Sequence, residues 1–481
     1  MKVIQSFATE SAGCSRIHDL IREFAEYLSA RGLKGNFHLT GDFARALRRH
    51  ARTDVIKALA RHEIGYHCNH HGGRPFMAGY CEQKPWRDAV ATWLAEELPG
   101  IRIIGELFER IPAYYTSEYQ KAPQVVYGSW LAGIPVTGVL LGQGPAGQGE
   151  PLPDGGQGAA WYCNSFVPTS RFLFALDPQG IRNNFEETTR KYLAVVAAEL
   201  AKTHGVLRSF THEYPLVMDA GKPMKGSSYE DTYYEDIAFE CLPEQDIREN
   251  IEKMKAYFSI IAAYPGSEFV SYTDYLEKDY YPGHGHWLKI DALDAVAKKM
   301  TATVDFVLVG KISLSPAEVM GLLVRALRNY REAKKWPERI AARGMLGPVE
   351  EYPPARPACR VGAAIMLESL AGMDRDMDDE GCIPGEINAG GKILGPGQWL
   401  QGLAQLFARL RAGGKPVGEI DCPADTMPAI VQDPFFKQKV FTRPVYPKGF
   451  TGEKICRLSR LQTWSWKPAV LRTGAKETKT C

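Results

Sequence analysis

His62-Glu63-Ile64-Gly65-Tyr66-His67-Cys68-Asn69-His70-His71, followed by Gly72-Gly73-Arg74-Pro75, packs four imidazoles into ten residues. Packing rarely needs so many ionisable rings so close together. His67 and His71 are separated by three residues, a spacing that brings two imidazole nitrogens to one metal ion from a helical turn or a compact loop. Histidines at this spacing also occur as solvated or hydrogen-bonded structural residues, so the flanking elements decide the reading. Cys68, between the two rings, reads either as a soft third ligand or as a small packing residue.

Upstream, Gly35-Asn36-Phe37-His38-Leu39-Thr40-Gly41-Asp42 has the form of a short buried strand that ends in a glycine turn. Asp54 to Arg61 then places apolar residues at helical spacing, and His62 to Gly65 is the next strand or its lead-in. Earlier still, Val3 to Phe7 is a short apolar strand ended by Ala8-Thr9-Glu10-Ser11-Ala12-Gly13. Arg16 to Leu33 follows as an amphipathic helix, with Ile17, Leu20, Ile21, Phe24, Tyr27 and Leu28 recurring at three and four. Three strands alternating with two helices point to a parallel α/β sheet or barrel with its site at the strand C-termini. Glu10 sits at the first of those ends and the His67 loop at the third.

This order resembles the polysaccharide deacetylase (NodB-homology, carbohydrate esterase) family, whose members carry a G-T-F-F-x-x-G…H-E-I-G-x-H-x-x-x-H run. Here it stands as Gly35-Asn-Phe-His-Leu-Thr-Gly41 and His62-Glu-Ile-Gly-Tyr-His67-Cys-Asn-His-His71. The resemblance implies a distorted β/α barrel over about residues 1–281, with a divalent metal, zinc by its preference for imidazole and carboxylate, held by Glu10, His67 and His71. Against the family's T-F-D-x-E pattern, Ser6-Phe7-Ala8-Thr9-Glu10 keeps an acid only in the ligand place, and Ala8 stands where the catalytic base is expected. Asp42 and Glu213 are the candidate substitutes; Asp42 also reads as a cap of the helix that follows it. Arg110-Ile111-Pro112 matches the family's R-x-P motif, whose arginine orients the site's carboxylates. His212, at the end of the strand Val206 to Phe210, matches the histidine that protonates the leaving group.

Between these segments, Trp86 to Leu98 reads as an amphipathic helix and Tyr127-Gly128-Ser129 as the sequel of a further strand. Gly142 to Gly158 is a long Gly- and Pro-rich loop. Trp161 to Pro168 is strand-like and aromatic, suited to stacking a sugar ring or to a core edge. Helices are expected over Glu186 to Thr203 and Asp246 to Ala262, with the barrel ending near Tyr281 after Phe269 to Asp274. Pro282 to His286 is linker-like.

The remainder, about 290–440, reads as a smaller α+β module with an internal repeat. Gly310-Lys-Ile-Ser-Leu-Ser-Pro316 aligns at an offset of eighty on Gly390-Gly-Lys-Ile-Leu-Gly-Pro396, each leading through a turn to a proline at a helix start. The layout faintly resembles pseudomurein-binding repeats; homo-oligomerisation and support of the first domain are the other open roles. Residues 441–481 read as an extended, aromatic tail, disordered from Gly474.

A chain of 481 residues is long enough for two or three domains. Its 45% apolar and 24% charged residues are those of a globular protein, and a net charge of +2 makes no electrostatic case for nucleic acid or an anionic membrane. No apolar run is long enough to span a bilayer. The first residues lack a signal core, which leads to the expectation of a cytoplasmic protein. The ten cysteines form no C-x-x-C pair and read as free thiols. The expected activity is metal-dependent hydrolysis of an N- or O-acetyl group on a carbohydrate. Two alternatives remain: a barrel that has lost catalysis and binds glycans or acts as a scaffold, and a hydrolase of small non-carbohydrate amides.

Overall fold

The structure, a computed structural model, describes the chain except for residues 11–14, 71–75, 117–121, 139–151, 170–171, 175–184, 204, 218–240, 352–355, 438–448 and 473–481. Its first part is a β/α sheet. The strands are β1 (Lys2–Thr9), β2 (Asn36–Leu39), β3 (Glu63–Tyr66), β4 (Tyr114–Tyr115), β5 (Val136–Thr137), β6 (Ala159–Tyr162), β7 (Ser165–Pro168), β8 (Phe172–Phe174), β9 (Val206–His212) and β10 (Glu268–Phe269). The hydrogen-bonded order is β6-β7-β5-β4-β3-β2-β1-β9-β8, with β10 beside β1 and a C-terminal strand, Lys467–Pro468, beside β6. From β7 to β8 every pairing is parallel. The sheet curls into a half-barrel that does not close, a distorted β/α barrel.

Side-chain alternation, with its period of two, sorts these strands into an outer and an inner face. Val3 and Phe7 of β1, Phe37 and Leu39 of β2, and Ile64 and Tyr66 of β3 pack outward on the helices. Among them α1 (Ser15–Ala30) contributes Ile17, Leu20, Ile21, Phe24 and Leu28, all fully buried. Each such side chain stabilises the fold by roughly 1.5–3 kcal/mol relative to exposure. The inner face carries Ile4, Tyr114, Val136, Phe166 and Val206, and these pack on Tyr272 and Tyr275. The remaining helices of this part are α2 (Gly41–Arg49), α3 (Thr53–Leu59), α4 (Met77–Gln83), α5 (Trp86–Phe108), α6 (Pro123–Leu131), α7 (Phe185–Thr203), α8 (Glu244–Ala262) and α9 (Tyr272–Asp279).

Two expectations about these elements are corrected. The helix read as ending at Leu98 runs on through Pro99 to Phe108. Proline inside a helix costs about 3 kcal/mol, but Ile101, Ile103, Ile104 and Phe108 beyond it are buried and offset that cost. Tyr127-Gly128-Ser129 lies inside a helix, α6, where Pro123 occupies the first turn. Gly128 is needed there, since a Cβ would stand 2.7 Å from the Trp93 ring. The aromatic strand resolves into a hairpin, β6 and β7, turned by Cys163 and Asn164, both at positive φ. Trp161 is buried against Phe166 and His284, so it forms a core edge rather than a stacking platform.

The second part consists of two stretches with the same order of elements. The first is β11 (His286–Lys289), α10 (Ile290–Ala302), β12 (Val307–Val309), β13 (Ile312–Leu314), α11 (Pro316–Ala333) and β14 (Arg339–Ala342). The second is β15 (Cys359–Gly362), α12 (Ala363–Glu380), β16 (Ile387–Ala389), β17 (Lys392–Leu394), α13 (Pro396–Arg411) and β18 (Glu419–Cys422). In each, the outer strands pair antiparallel and the inner two form a hairpin before a helix that begins with proline. The two share one apolar core, to which Trp464 also contributes.

Residues after 448 are not an extended tail. They form a helix, α14 (Glu453–Leu461), and the strand that extends the barrel sheet, because Ile455, Leu458, Trp464 and Trp466 are apolar and become buried. Residues 438–448 and the tail from 473 lie outside the described residues. A buried charge cluster fastens the parts together. The Lys467 ammonium donates to both Glu318 carboxylate oxygens at 2.7 Å and to the Gly283 carbonyl, while the His284 ring bridges Glu318 and the Asn164 carbonyl. Burial disfavours the Glu318 charge, but Lys467 and His284 outweigh it and hold the carboxyl down at about 2. Burial holds Lys467 below the ordinary lysine value. Among the described residues no helix is long and apolar enough to cross a membrane.

Candidate active site

The inward alternation of β1, Ile4-x-Ser6-x-Ala8, continues into Glu10, which is buried at the C-terminal end of the strand. There its carboxylate lies 2.9 Å from Nε2 of His67 and 3.5 Å from Nε2 of His212. The three come from the end of β1, the loop after β3, and the end of β9; in the parallel order β9 adjoins β1 on one side and β3 lies one strand beyond its neighbour on the other. Glu10 and His67 are buried, whereas 30% of the His212 side chain is exposed, so His212 is the member that faces outward. Glu213 accepts the Glu10 backbone N–H at 2.6 Å, one residue beyond the end of β1.

The tautomer of His67 follows from its partners. Nδ1 faces the Thr116 carbonyl oxygen, which only accepts, so Nδ1 carries the hydrogen. In the neutral ring Nε2 then presents a lone pair to the Glu10 carboxylate. Two acceptors at 2.9 Å attract only with a cation between them, either a proton on Nε2 or a metal ion. This donor chemistry, one carboxylate and imidazole nitrogen oriented from behind by a carbonyl, suits a divalent ion such as zinc. Among the described residues no group of three or more His, Cys, Asp and Glu is arranged to hold a metal ion. His71, the third expected ligand, lies outside the described residues.

His212 is raised above the ordinary histidine value: burial opposes its charge, but the Glu10 carboxylate and then Glu213 outweigh burial. Its Nε2 faces the Glu10 carboxylate. His38, inward on β2, is driven the other way, well below the ordinary value, by burial and then by His67. Neither nitrogen of its ring has a hydrogen-bond partner among the described residues, and the ring packs on Tyr114 at 4.7 Å. In the sheet register His38 is flanked by Ala8 on one side and Gly65 on the other. A Cβ at Gly65 would stand 2.9 Å from the His38 ring.

The imidazole-bearing loop is seated in a notch of α5. Asn69 donates its backbone N–H to Glu97 at 2.8 Å and its amide to the Glu96 carbonyl at 2.8 Å, and Tyr66 donates to the same Glu97 carboxylate. Pro99 has no N–H and Gly100 no side chain, which opens this turn of the helix to the loop. A Cβ at Gly100 would lie 2.8 Å from the Tyr66 hydroxyl oxygen and 2.9 Å from Asn69 Cα. On the other side, the Gly41 and Asp42 N–H groups donate to the Cys68 and Asn69 carbonyls at 2.9 and 3.1 Å, and Cys68 is buried. Arg45 donates to the Asn69 side-chain oxygen at 2.9 Å. Burial pushes the Glu97 carboxyl up to about 7.

Two expected roles change. Arg110 does not reach Glu10; it donates to the His62 carbonyl at 2.5 Å, ahead of the N-terminal end of β3, and Glu63 is the carboxylate in its field. The reason is polarity: β3 begins at Glu63, while its site-forming end is at His67. Asp42 does not cap α2; Thr40 does, accepting the Phe43 N–H at 3.0 Å. Asp42 instead holds Arg45 at 2.5 Å and the His70 ring at 2.9 Å, so it braces the loop from outside. Glu97, Arg45, Asn69 and Thr116 were not singled out in the sequence. Only Glu97 left a signal there, as a carboxylate on the face that Val90, Trp93, Ile101 and Ile104 make apolar.

No family model matches the chain, and no curated protein does. Solved structures similar to it include a probable polysaccharide deacetylase from Pseudomonas aeruginosa PAO1 (11% identity, TM-score 0.36, covering 57% of this chain and 88% of that one). A putative polysaccharide deacetylase from Mycobacterium smegmatis is similar at 12% identity and TM-score 0.33, covering 57% and 87%. An allantoinase is similar at 13% identity and TM-score 0.33, covering 57% and 88%.

Proposed function

We propose that the protein is a metal-dependent hydrolase that removes N- or O-acetyl groups from a carbohydrate. The observation that carries this reading is the meeting of Glu10, His67 and His212 at the C-terminal ends of parallel strands, with a carboxylate facing an imidazole nitrogen that has no hydrogen to give in its neutral form. Glu10 and His67, joined by His71, would hold the ion; when bound it supplies Lewis-acid polarisation of the acetyl carbonyl and lowers the pKa of water. His212, the exposed member, would pass a proton to the departing amine or alcohol, a role supported by the Glu10 carboxylate beside it, which raises its affinity for the proton. Thr116 keeps His67 in the tautomer that presents Nε2 to the ion.

The test is metal content and acetate release over a panel of acetylated sugars. Purified protein is expected to bind about one divalent ion, Glu10→Ala and His67→Ala to lose it, and His212→Ala to keep the metal while losing about a hundredfold in rate. A wild-type protein that binds no divalent ion, or a Glu10→Ala variant of undiminished activity, overturns the reading.

One observation favours a second reading, a glycan-binding or scaffold protein without turnover. No carboxylate occupies position 8, and the two substitutes are committed elsewhere, Glu213 to the Glu10 backbone and Asp42 to Arg45 and His70. Binding of metal and chitooligosaccharide with no acetate release from any substrate selects it. For the C-terminal module we infer support of the barrel edge, on the strength of the buried Lys467–Glu318 contact.

A further inference from the structure

Two cysteines in the second stretch of the C-terminal module stand directly opposite each other. Cys359 opens β15 and Cys422 closes β18, and the antiparallel register pairs them. The ladder continues to the Ala363 N–H, which donates to the Gly418 carbonyl at 2.9 Å. Counting back two residues at a time makes 361 with 420, and 359 with 422, hydrogen-bonded pairs, whose Cα atoms stand about 5.5 Å apart. Disulfides form at Cα separations of roughly 4.4–6.8 Å. Both side chains lie on the face that Val361 and Ile420 present to the core; Cys422 is buried and Cys359 half-buried at its margin. The thiols interact: burial and then Cys359 push the Cys422 thiol up to about 12. The equivalent register position of the first stretch pairs His286 with Ala342, so this arrangement of strands does not itself require cysteine there.

We propose that Cys359 and Cys422 are a modification site, a dithiol that a small-molecule disulfide of the glutathione type oxidises to a cross-strand disulfide. The Cys359 thiolate attacks one sulfur of the oxidant, breaking its S–S bond, forming a mixed disulfide and releasing one thiolate. Cys422 loses its proton to solvent, and its sulfur attacks the Cys359 sulfur; the Sγ–Sγ bond forms and the second thiolate leaves. The protein gives up two electrons and two protons, and the oxidant becomes two thiols. The raised Cys422 value makes the second step the slow one. The bond staples β15 to β18 and closes the chain segment that holds α12, β16, β17 and α13. It is independent of the hydrolase reading.

The experiment treats the full-length protein with glutathione disulfide, quenches by alkylation, and reads intact mass and peptide maps. The expected product is lighter than the reduced protein by two hydrogens, with the peptides of Cys359 and Cys422 joined until excess thiol is added. Cys359→Ser, a change at the margin of the core, abolishes the joined species. The proposal is overturned if Cys359 stops at the glutathione adduct, if either cysteine joins a different partner, or if both alkylate fully after oxidant treatment.

Discussion

Glu97 shows how a single buried side chain sets the position of the site. Its carboxylate accepts the Asn69 N–H and the Tyr66 hydroxyl on one oxygen, and so ties the loop after β3 to α5. Glu97→Leu removes this acceptor from two buried donors and is expected to cost about 1–3 kcal/mol in urea unfolding. Glu97→Gln keeps a carbonyl oxygen for both and is expected to hold stability near wild type. The pH dependence separates the variants further. The folded carboxyl sits at about 7, above its unfolded value of roughly 4.3, so its ionisation weakens the fold as pH rises through that window. The Gln variant lacks this loss, and its stability relative to wild type should grow from pH 5 to about pH 8. An unchanged difference across that range would show that Glu97 does not titrate there.

At the scale of the element, α5 matters through its defect. A regular helix would close the notch at Pro99-Gly100; the proline and glycine open it, and the loop that bears the imidazoles fills it. Gly100→Ala places a methyl against Tyr66 and Asn69 Cα. We expect a loss of about 1–3 kcal/mol in stability together with weaker divalent-metal binding by calorimetry. Stability lost with metal affinity unchanged would detach the helix from the site. Strand polarity belongs to the same scale. Parallel strands put Glu10, His67 and His212 at one end, and the same polarity leaves Arg110 with the His62 carbonyl at the other.

For the whole molecule, the Lys467–Glu318 pair is a buried polar contact between the two parts of the chain, beside the apolar cluster that Trp86, Val90 and Tyr162 share with Leu346, Phe436 and Trp466. Both side chains are almost wholly buried, and they link the C-terminal strand of the barrel sheet to the first turn of α11. Lys467→Met leaves the Glu318 charge buried without its ammonium and is expected to destabilise by about 3–5 kcal/mol. Adding Glu318→Gln should restore much of that, a coupling a double-mutant cycle measures. A depressed carboxyl contributes stability above its unfolded value, so the pair's contribution is complete above about pH 4.5 and is lost as pH falls toward about 2. Acid unfolding of wild type should be steeper in that window than that of the double variant.

Local pattern was enough for the alternation of the first strands and helices, the placing of Glu10 and His67 at strand ends, and the two proline-led helices that begin at Pro316 and Pro396. Each depends on periodicity or a turn residue within a few positions of itself. Tertiary structure alone decided that Pro99 would be carried inside a helix and that Trp464 and Trp466 would return to the barrel edge. The same holds for the placing of the His38 ring against Gly65 and Tyr114. These outcomes rest on burial against residues distant in the chain, and no local spacing records what a side chain will be packed against.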